Sequence, residues 1–518
     1  MINTTREAIE IEAPTGLRRL LSVFAPVKRS EVATVVILSV NVFVLLTCYY
    51  VLKVAREPLI LLGGGAELKA YASAGQAVLL LAVVPAFGWL SSRVGRLRLL
   101  TTMQLIFMGC LVAFYLLAHL HAPIGLAFYL WLGIFNMLVV SNFWSFANDL
   151  YTEEQGKRLF AVIGIGASIG AIVGAFVPQI LHRVIGVYSL MLVAAGALGL
   201  SIVLYRMADL RERKNREARD AERATGAGDD DDAARDREAR DAAADSNEGG
   251  FALILKDRYL RLLAAMVLVA TIINTTGEYV VSKLATDRSA EYAAQTVGAT
   301  ADSASAAQSK PDSRPAGDAG KGKAAPDPKS PEAEAIEKAR GDYLAGFFSS
   351  YYGWVNLLSA LLQALLVARL LTRLGIRRAL FIMPLVVLGG WFSLMLFANV
   401  TMVRIAKTAE NSLDYSLHNT LRHALFLPTS RASKYKAKAA VDTFVVRAGD
   451  VIAGLGIVFL LVEVLHLGVH AFAALNVALA AVWLLLAARA GRLHDKLIEE
   501  QARGQNGQGA AAEGHGAA

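Results

Sequence analysis

Twelve apolar stretches recur along this chain, each long enough to approach the roughly 20 residues a helix needs to cross a 30 Å hydrocarbon core, and nothing else constrains its fold as tightly. They fall near Val32–Leu52, Tyr71–Leu90, Leu99–Ala118, Ile124–Val140, Leu159–Leu181 and Gly186–Leu204. After a break they resume near Leu260–Val281, Tyr351–Leu371, Ala379–Ala398, Val400–Leu425, Thr443–Leu465 and Val469–Ala488. In lipid a lone segment must satisfy its own backbone N–H and C=O groups, and a helix does so. Composition agrees: 55% of the 518 residues are hydrophobic, 19% are charged, and mean hydropathy is +0.45, against about 25% charged in a soluble domain. The expected fold is an all-α membrane protein with about twelve transmembrane helices in two six-helix pseudo-repeats.

Lysine and arginine beside the spans set the expected orientation. Arg93, Arg96 and Arg98 follow the second run, Lys157 and Arg158 the fourth, and Arg373, Arg377 and Arg378 the eighth. Arg431, Lys434, Lys436 and Lys438 follow the tenth. Connections near His119–Pro123, Asn399 and His466–Gly468 have neither residue type, whereas Lys53, Arg56 and Lys69 after the first run and Arg183 after the fifth depart from the pattern. The balance puts both termini in the cytoplasm of a cell whose inner (plasma) membrane the chain crosses many times. Arg18, Arg19, Lys28 and Arg29 precede a first run that is too long for a signal peptide and lacks a small-residue cleavage site.

The expected divisions are a cytoplasmic segment 1–29, an N-terminal six-helix bundle 30–206, a charged cytoplasmic linker 207–250, helix 7 within 251–284, a periplasmic loop 285–341, the rest of the C-terminal bundle 342–490 and a cytoplasmic tail 491–518. The linker carries the run Asp229–Asp232, and the loop is rich in Ala, Ser, Pro, Asp and Lys. Linker, loop and tail bury too little apolar surface to offset the entropy of ordering and are expected to be disordered, with a charged helix over part of the linker as the alternative.

Several functions are excluded early. Two cysteines, Cys48 and Cys110, cannot make a disulfide scaffold or a Cys-rich metal site. The nine histidines show no metal-ligand spacing, so no metal and no cofactor are expected. The net charge of +8 does not point to nucleic acid, because the basic residues flank apolar runs instead of forming one soluble face. Gly317-Asp-Ala-Gly-Lys-Gly322-Lys323 fits the spacing of a phosphate-binding loop, but Ala324 replaces the Ser/Thr and no strand or helix flanks it. Gly166, Gly170 and Gly174 read as small-residue helix packing. No nucleophile elbow appears, and no enzyme activity is expected.

The two halves echo each other. Gly88-x-Leu90-Ser91-Ser92-Arg93-Val94-Gly95-Arg96 after the second run aligns with Ala368-x-Leu370-Leu371-Thr372-Arg373-Leu374-Gly375-Ile376 after the eighth. Repeats of this kind build a central site between two rocking bundles in secondary transporters. Ionisable residues inside a bilayer are costly and default to function, and the tenth run holds most of them: Arg404, Lys407, Glu410, Asn411, Asp414, His418 and Arg422. Their three- and four-residue spacing places them on one helix face. The competing reading is structural pairing, Lys407 with Glu410 or Asn411 and Asp414 with His418. The first run ends in Tyr49, Lys53, Arg56 and Glu57, which also share a face; an interfacial belt is the alternative there. Asn148, Glu278 and Asp450 are further polar residues in the fourth, seventh and eleventh runs. The modest cationic excess on these helices suits an anionic substrate.

The loop at Gly88–Arg96 resembles the signature of the major facilitator superfamily, with Ser92 in place of its usual Asp. In that arrangement helices 1, 4, 7 and 10 line the pathway, which is where the polar residues concentrate. Phe143-Trp144-Ser145-Phe146-Ala147-Asn148-Asp149, Gly156-Lys157-Arg158-Leu159-Phe160 and Lys436-Ala437-Lys438-Ala439-Ala440-Val441-Asp442 resemble the ATP/ADP antiporter family of plastids and intracellular bacteria, distant relatives of that superfamily. The resemblance implies nucleotide exchange, with Lys53 and Glu278 at the positions that matter for it. Two departures stand out: Leu132-Gly133 where exchangers have an acid, and Asp450 where they tend to have a lysine. The expectation is therefore a secondary transporter of a nucleotide or another organic anion, working as a monomer in the lipid bilayer. Lys53, Arg56, Asn148, Arg404, Lys407, Asn411 and Arg422 are expected to bind substrate, and Glu278, Glu410, Asp414 and Asp450 to gate or couple. Proton-coupled movement of another organic anion, or a non-transporting scaffold or sensor, is the alternative.

Overall fold

The computed structural model describes residues 31–91, 93–151, 153–224, 250–308, 330–430 and 433–515, and the described residues contain no strand. The first helical stretch, Val32–Ser91, breaks at Gly64 and Gly65 into α1 (32–63) and α2 (66–91). Gly65 has φ +70°, a conformation that costs glycine nothing and other residues strain. α3 (Arg96–His119) and α4 (Gly125–Leu150) follow. Glu153–Ala224 breaks in the same way at Gly186, φ +79°, into α5 (153–185) and α6 (187–224).

The second half repeats the plan. α7 is Arg258–Gln308, and α8 runs from Pro331 to a break at Gly375. α9 (Ile382–Leu396) and α10 (400–424) come next, then α11 (433–464) and α12 (Val469–His515). Nine described stretches are long and apolar enough to cross a membrane. The break at Gly64–Gly65 divides one of them, and the shorter α9 and the polar α10 complete the two sets of six.

Each half packs its own core. One cluster gathers residues such as Leu38, Phe107, Phe135, Phe143 and Leu198 from α1, α3, α4 and α6. The other gathers Leu260, Phe348, Trp391, Leu421 and Trp483 from the second set. Within the first half, Gly166, Gly170 and Gly174 bring α5 against the backbone of α1, where any Cβ would run into the carbonyls of Ser39, Phe43 and Thr47. Thr47 Oγ1 donates to the Gly170 carbonyl at 3.2 Å across this seam, the close backbone approach that small residues permit in lipid.

Three segments differ from expectation. The 285–341 stretch, expected to be a disordered loop, is helical over its first part as α7 continues to Gln308 and again from Pro331. The linker is helical to Ala224 and again over Gly250–Lys256, and the tail continues α12 to His515. Alanine and charged residues are good helix formers even where nothing is buried, and Ser330 caps α8 by accepting from Ala333 N at 3.2 Å. The segment 1–29, the Asp229–Asp232 run, the Gly317–Lys323 stretch and Ser92 lie outside the described residues.

α10 and α11 are not regular. α10 widens to i→i+5 turns at Asp414–His418, and α11 does so at Ser433–Ala437, Val441–Val445, Ile452–Val458 and Leu460–Val464. Such widened turns insert residues, rotate the face that follows and occur often at functional sites.

Candidate functional site

The basic connections after α2, α4, α8 and α10 lie at one end of the bundle, termed here the basic end. The α1–α2 and α7–α8 connections lie at the other, the far end. Tyr49, Lys53, Arg56 and Glu57 share the side of α1 that faces the second half. Lys69 sits one turn into α2 and, because the Gly64–Gly65 break reverses the chain, points back at α1.

These residues build a chain of charges across the two halves. Glu57, with none of its side chain exposed, is held by Arg56, by Lys69 at 2.6 Å and by the Tyr352 hydroxyl at 2.9 Å. Lys69 also donates to Ser282 Oγ at 2.8 Å and lies 3.9 Å from Glu278. Glu278 Oε1 in turn accepts from the Tyr351 hydroxyl and Asn411 Nδ2, each at 3.1 Å. A carboxylate removed from water needs such partners to remain charged. Arg56 lies over the ring of Tyr129 at 4.4 Å.

Polar contacts between the halves made by the described residues concentrate toward the far end, with Asn356 Nδ2 donating to the Ala171 carbonyl at 3.1 Å nearer mid-span. Besides those above, Tyr71 donates to Glu463 at 3.1 Å, Tyr279 to Glu67 at 3.0 Å and Ser349 to the Ala175 carbonyl at 2.6 Å. First-half residues that join the core of the second half come from the same end: Val54, Ile60, Leu61, Ala66, Ala70 and Tyr129 among them. Arg96–Asp149, Arg158–Glu31 and Arg422–Asp442, at the basic end, each stay within one half. The halves are therefore clasped toward the far end.

Beneath the clasp lies a cavity of about 210 Å3 lined by Tyr49, Lys53, Arg56, Lys69, Ala70, Ser73 and Tyr129 of the first half. The second half contributes Asn274, Thr275, Glu278, Tyr279, Tyr352, Tyr415 and Asp450. Lys53 lies 4.2 Å from the centroid of Tyr352 and 5.3 Å from that of Tyr50, with no carboxylate among the described residues within ion-pair distance. Asp450 accepts from Thr275 at 2.8 Å and pairs with Arg447 at 3.0 Å, so its charge is answered on its own helix. At the head of the cavity Lys53, Arg56 and Lys69 outnumber Glu57 and Glu278, and the excess resides on Lys53. A cation among aromatic rings with no internal counter-ion attracts an anion by charge-assisted hydrogen bonds, and five tyrosines offer apolar faces and hydroxyls to its organic part.

Of the residues expected at the site, Lys53, Arg56, Glu278 and Asp450 line this cavity, and Asn411 reaches it through Glu278. The others do not. Asn148 is exposed at the basic end of α4. Arg404 donates to Ser350 at 2.8 Å and lies over Phe347. Arg422 faces Asp442, which Lys438 also contacts. Lys407 and Glu410 are buried against each other, and Asp414 is half-buried outside the lining. The wide turn at Asp414–His418 interrupts the polar face of α10, and the residue that reaches the cavity from within it is Tyr415. In the sequence Lys69 stands out only as an exception to the charge rule; the signal for its role is a lysine just past a triple-glycine break, near a Lys-x-x-Arg-Glu helix end. A Cβ at Gly133 would meet the terminal amide of Gln76 from α2, which would have to swing aside to admit an acid there.

The sequence profile of the Major Facilitator Superfamily matches residues 38–301. No curated protein matches the chain. Similar solved structures include a POT family transporter in complex with 5-aminolevulinic acid, at 13% identity and TM-score 0.55, covering 89% of this chain and 96% of that one. A mutant of the peptide transporter POT aligns at 14% identity and TM-score 0.54, covering 93% and 100%. The nucleoside transporter NupG aligns at 13% identity and TM-score 0.50, covering 90% and 98%. At such identities the likeness is one of fold.

Proposed function

The chain belongs to the major facilitator superfamily and is a multi-pass membrane transporter of that type, and from that premise we propose that it carries an organic anion, in the first instance a nucleotide, by alternating access between its two halves. The observation that carries this reading is Lys53: a cation at the closed head of the cavity, ringed by tyrosines, whose counter-charge is left for a ligand to supply. In this role Lys53 holds a phosphate or carboxylate, Arg56 adds to the field above it, and the tyrosines receive the planar body. The cavity, at about 210 Å3, is smaller than the 300–1,000 Å3 of a typical ligand pocket. In this reading it takes the charged head, while the rest of the substrate extends toward the basic end.

The charge pattern of the loops supports placing that end in the cytoplasm of the inner membrane. Glu278 couples binding to the clasp, since it meets Lys69 on one side and Asn411 on the other. Exchange of ATP for ADP is the specific form favoured by the blocks at Phe143–Asp149 and Lys436–Asp442. Proton-linked movement of another organic anion is favoured by one observation, Asp450, a carboxylate facing the cavity where exchangers tend to have a lysine.

Purified protein in ADP-loaded liposomes tests the reading. Labelled ATP should enter, and Lys53→Ala should lower the rate by about 10- to 100-fold, the loss of a charged hydrogen bond of about 1.5–3 kcal/mol, with folding retained. Uptake that needs no internal ADP and follows an imposed pH step would support the proton-linked form instead. Equal uptake by parent and Lys53→Ala would sink the assignment of Lys53.

A further inference from the structure

Lys407 is among the largest side chains in the protein with no exposed surface, and it sits inside the second half, not in the passage. Its ammonium lies 2.5 Å from Glu410 Oε1, one turn along α10, and donates to Asn274 Oδ1 on α7 at 3.0 Å. The other Glu410 oxygen accepts from Trp391 Nε1 of α9 at 3.3 Å. A buried ion pair is usually neutral or costly to stability compared with apolar residues of the same volume, whereas an unpaired member is strongly destabilising. Stability alone therefore gives little reason for the pair.

Its geometry gives one. Asn274 and Glu278 are one turn apart on α7, and both line the cavity. Lys407 holds the first, and Asn411, four residues along α10, holds the second at 3.1 Å. The two contacts are rungs that fix how far α7 slides and turns against α10. Gly277, between them, is the residue that lets the lysine through: a Cβ there would lie 2.8 Å from Trp391 Cζ2 and 3.0 Å from Lys407 Nζ. The geometry points to Lys407 and Glu410 as a positioning pair that sets the register of α7 on α10 and so aims Asn274 and Glu278 into the cavity. Neither residue touches the substrate.

The test uses full-length protein carrying Lys407→Met, Glu410→Gln, or the apolar double substitution Lys407→Met with Glu410→Met. Only its kinetic arm rests on the transport reading. The single variants should lose folded yield because a charge or its partner is stranded. The double variant should regain a folded, monodisperse state, with KM for ATP raised about tenfold and Vmax within about twofold of parent, because one of the two rungs and not the path is lost. The second arm needs no substrate: a water-soluble carbodiimide labels accessible carboxyl groups, and the modified fraction of Glu278 is read by mass spectrometry. The double variant should label at Glu278 several-fold faster than parent, as its bonds to Asn411 and Tyr351 loosen. If the parent carries no anion but the labelling difference is present, the transport reading fails and the positioning role stands. A double variant with parental KM, or with Glu278 labelling equal to parent or absent in both, overturns the positioning role.

Discussion

At the residue scale the account turns on which charges answer each other. Glu57 is fully buried and is met by Arg56, Lys69 and Tyr352, while Lys53, four residues earlier on the same helix, lies against aromatic rings with no carboxylate among the described residues within ion-pair distance. The first is an internal bond of the molecule; the second is the charge that the proposed function assigns to a ligand. Lys69→Met should therefore behave differently from Lys53→Ala. It removes one of the two cations that hold a buried carboxylate at the junction of the halves, leaving Arg56 and Tyr352, so the loss is part of the ~3–5 kcal/mol that stranding such a charge costs. The expected outcome is a marked fall in the apparent melting temperature of the detergent-solubilised protein. A Lys69→Met variant as stable as parent would show that Glu57 does not depend on Lys69. Sequence alone placed Lys53, Arg56 and Glu57 on one face, because helical spacing is local. It did not pair Glu57 with Lys69, because that contact exists only once the chain has turned at Gly64–Gly65.

At the element scale, what was legible was whatever depends on period and length. Apolar runs of membrane-crossing length marked the spans, and the four-residue spacing of Gly166, Gly170 and Gly174 marked a helix seam, which proves to be α5 on α1. Gly170→Leu should separate those helices, since even a Cβ there collides with the backbone at Phe43. Overpacking of this kind costs about 1–3 kcal/mol or more, and size-exclusion chromatography should show loss of the monodisperse species. A monodisperse variant of parental melting temperature would contradict the seam. Illegible was whatever breaks the period. The wide turn at Asp414–His418 rotates the part of α10 that follows it, so a face drawn with a constant 100° step does not carry through, and Lys407, before the turn, is held by Asn274 and Glu410 inside the second half. The helical ends of the 285–341 segment were missed for a related reason: absence of an apolar face argues against burial, not against helix, and alanine-rich chain can be helical without a core.

At the scale of the whole molecule, each half has a core of its own, and they meet through charges, tyrosines and first-half apolar residues that join the second core, an arrangement compatible with rocking about a central site. The repeat made this division visible in the sequence. Which end is clasped was not visible, because it depends on long-range contacts such as Tyr71 with Glu463, 392 residues apart. The central claim is that this open, tyrosine-lined cavity binds an organic anion through Lys53, and a ligand that binds the folded state raises apparent stability in proportion to its concentration over Kd, by about 2.7 kcal/mol at a hundredfold excess. Thermal unfolding of parent and Lys53→Ala, each with ATP and with uncharged adenosine, measures this directly. The account predicts a rise in melting temperature for the parent with ATP, little with adenosine, and none with ATP for Lys53→Ala. An equal rise for both proteins with ATP, or a rise with adenosine as large as with ATP, would contradict it.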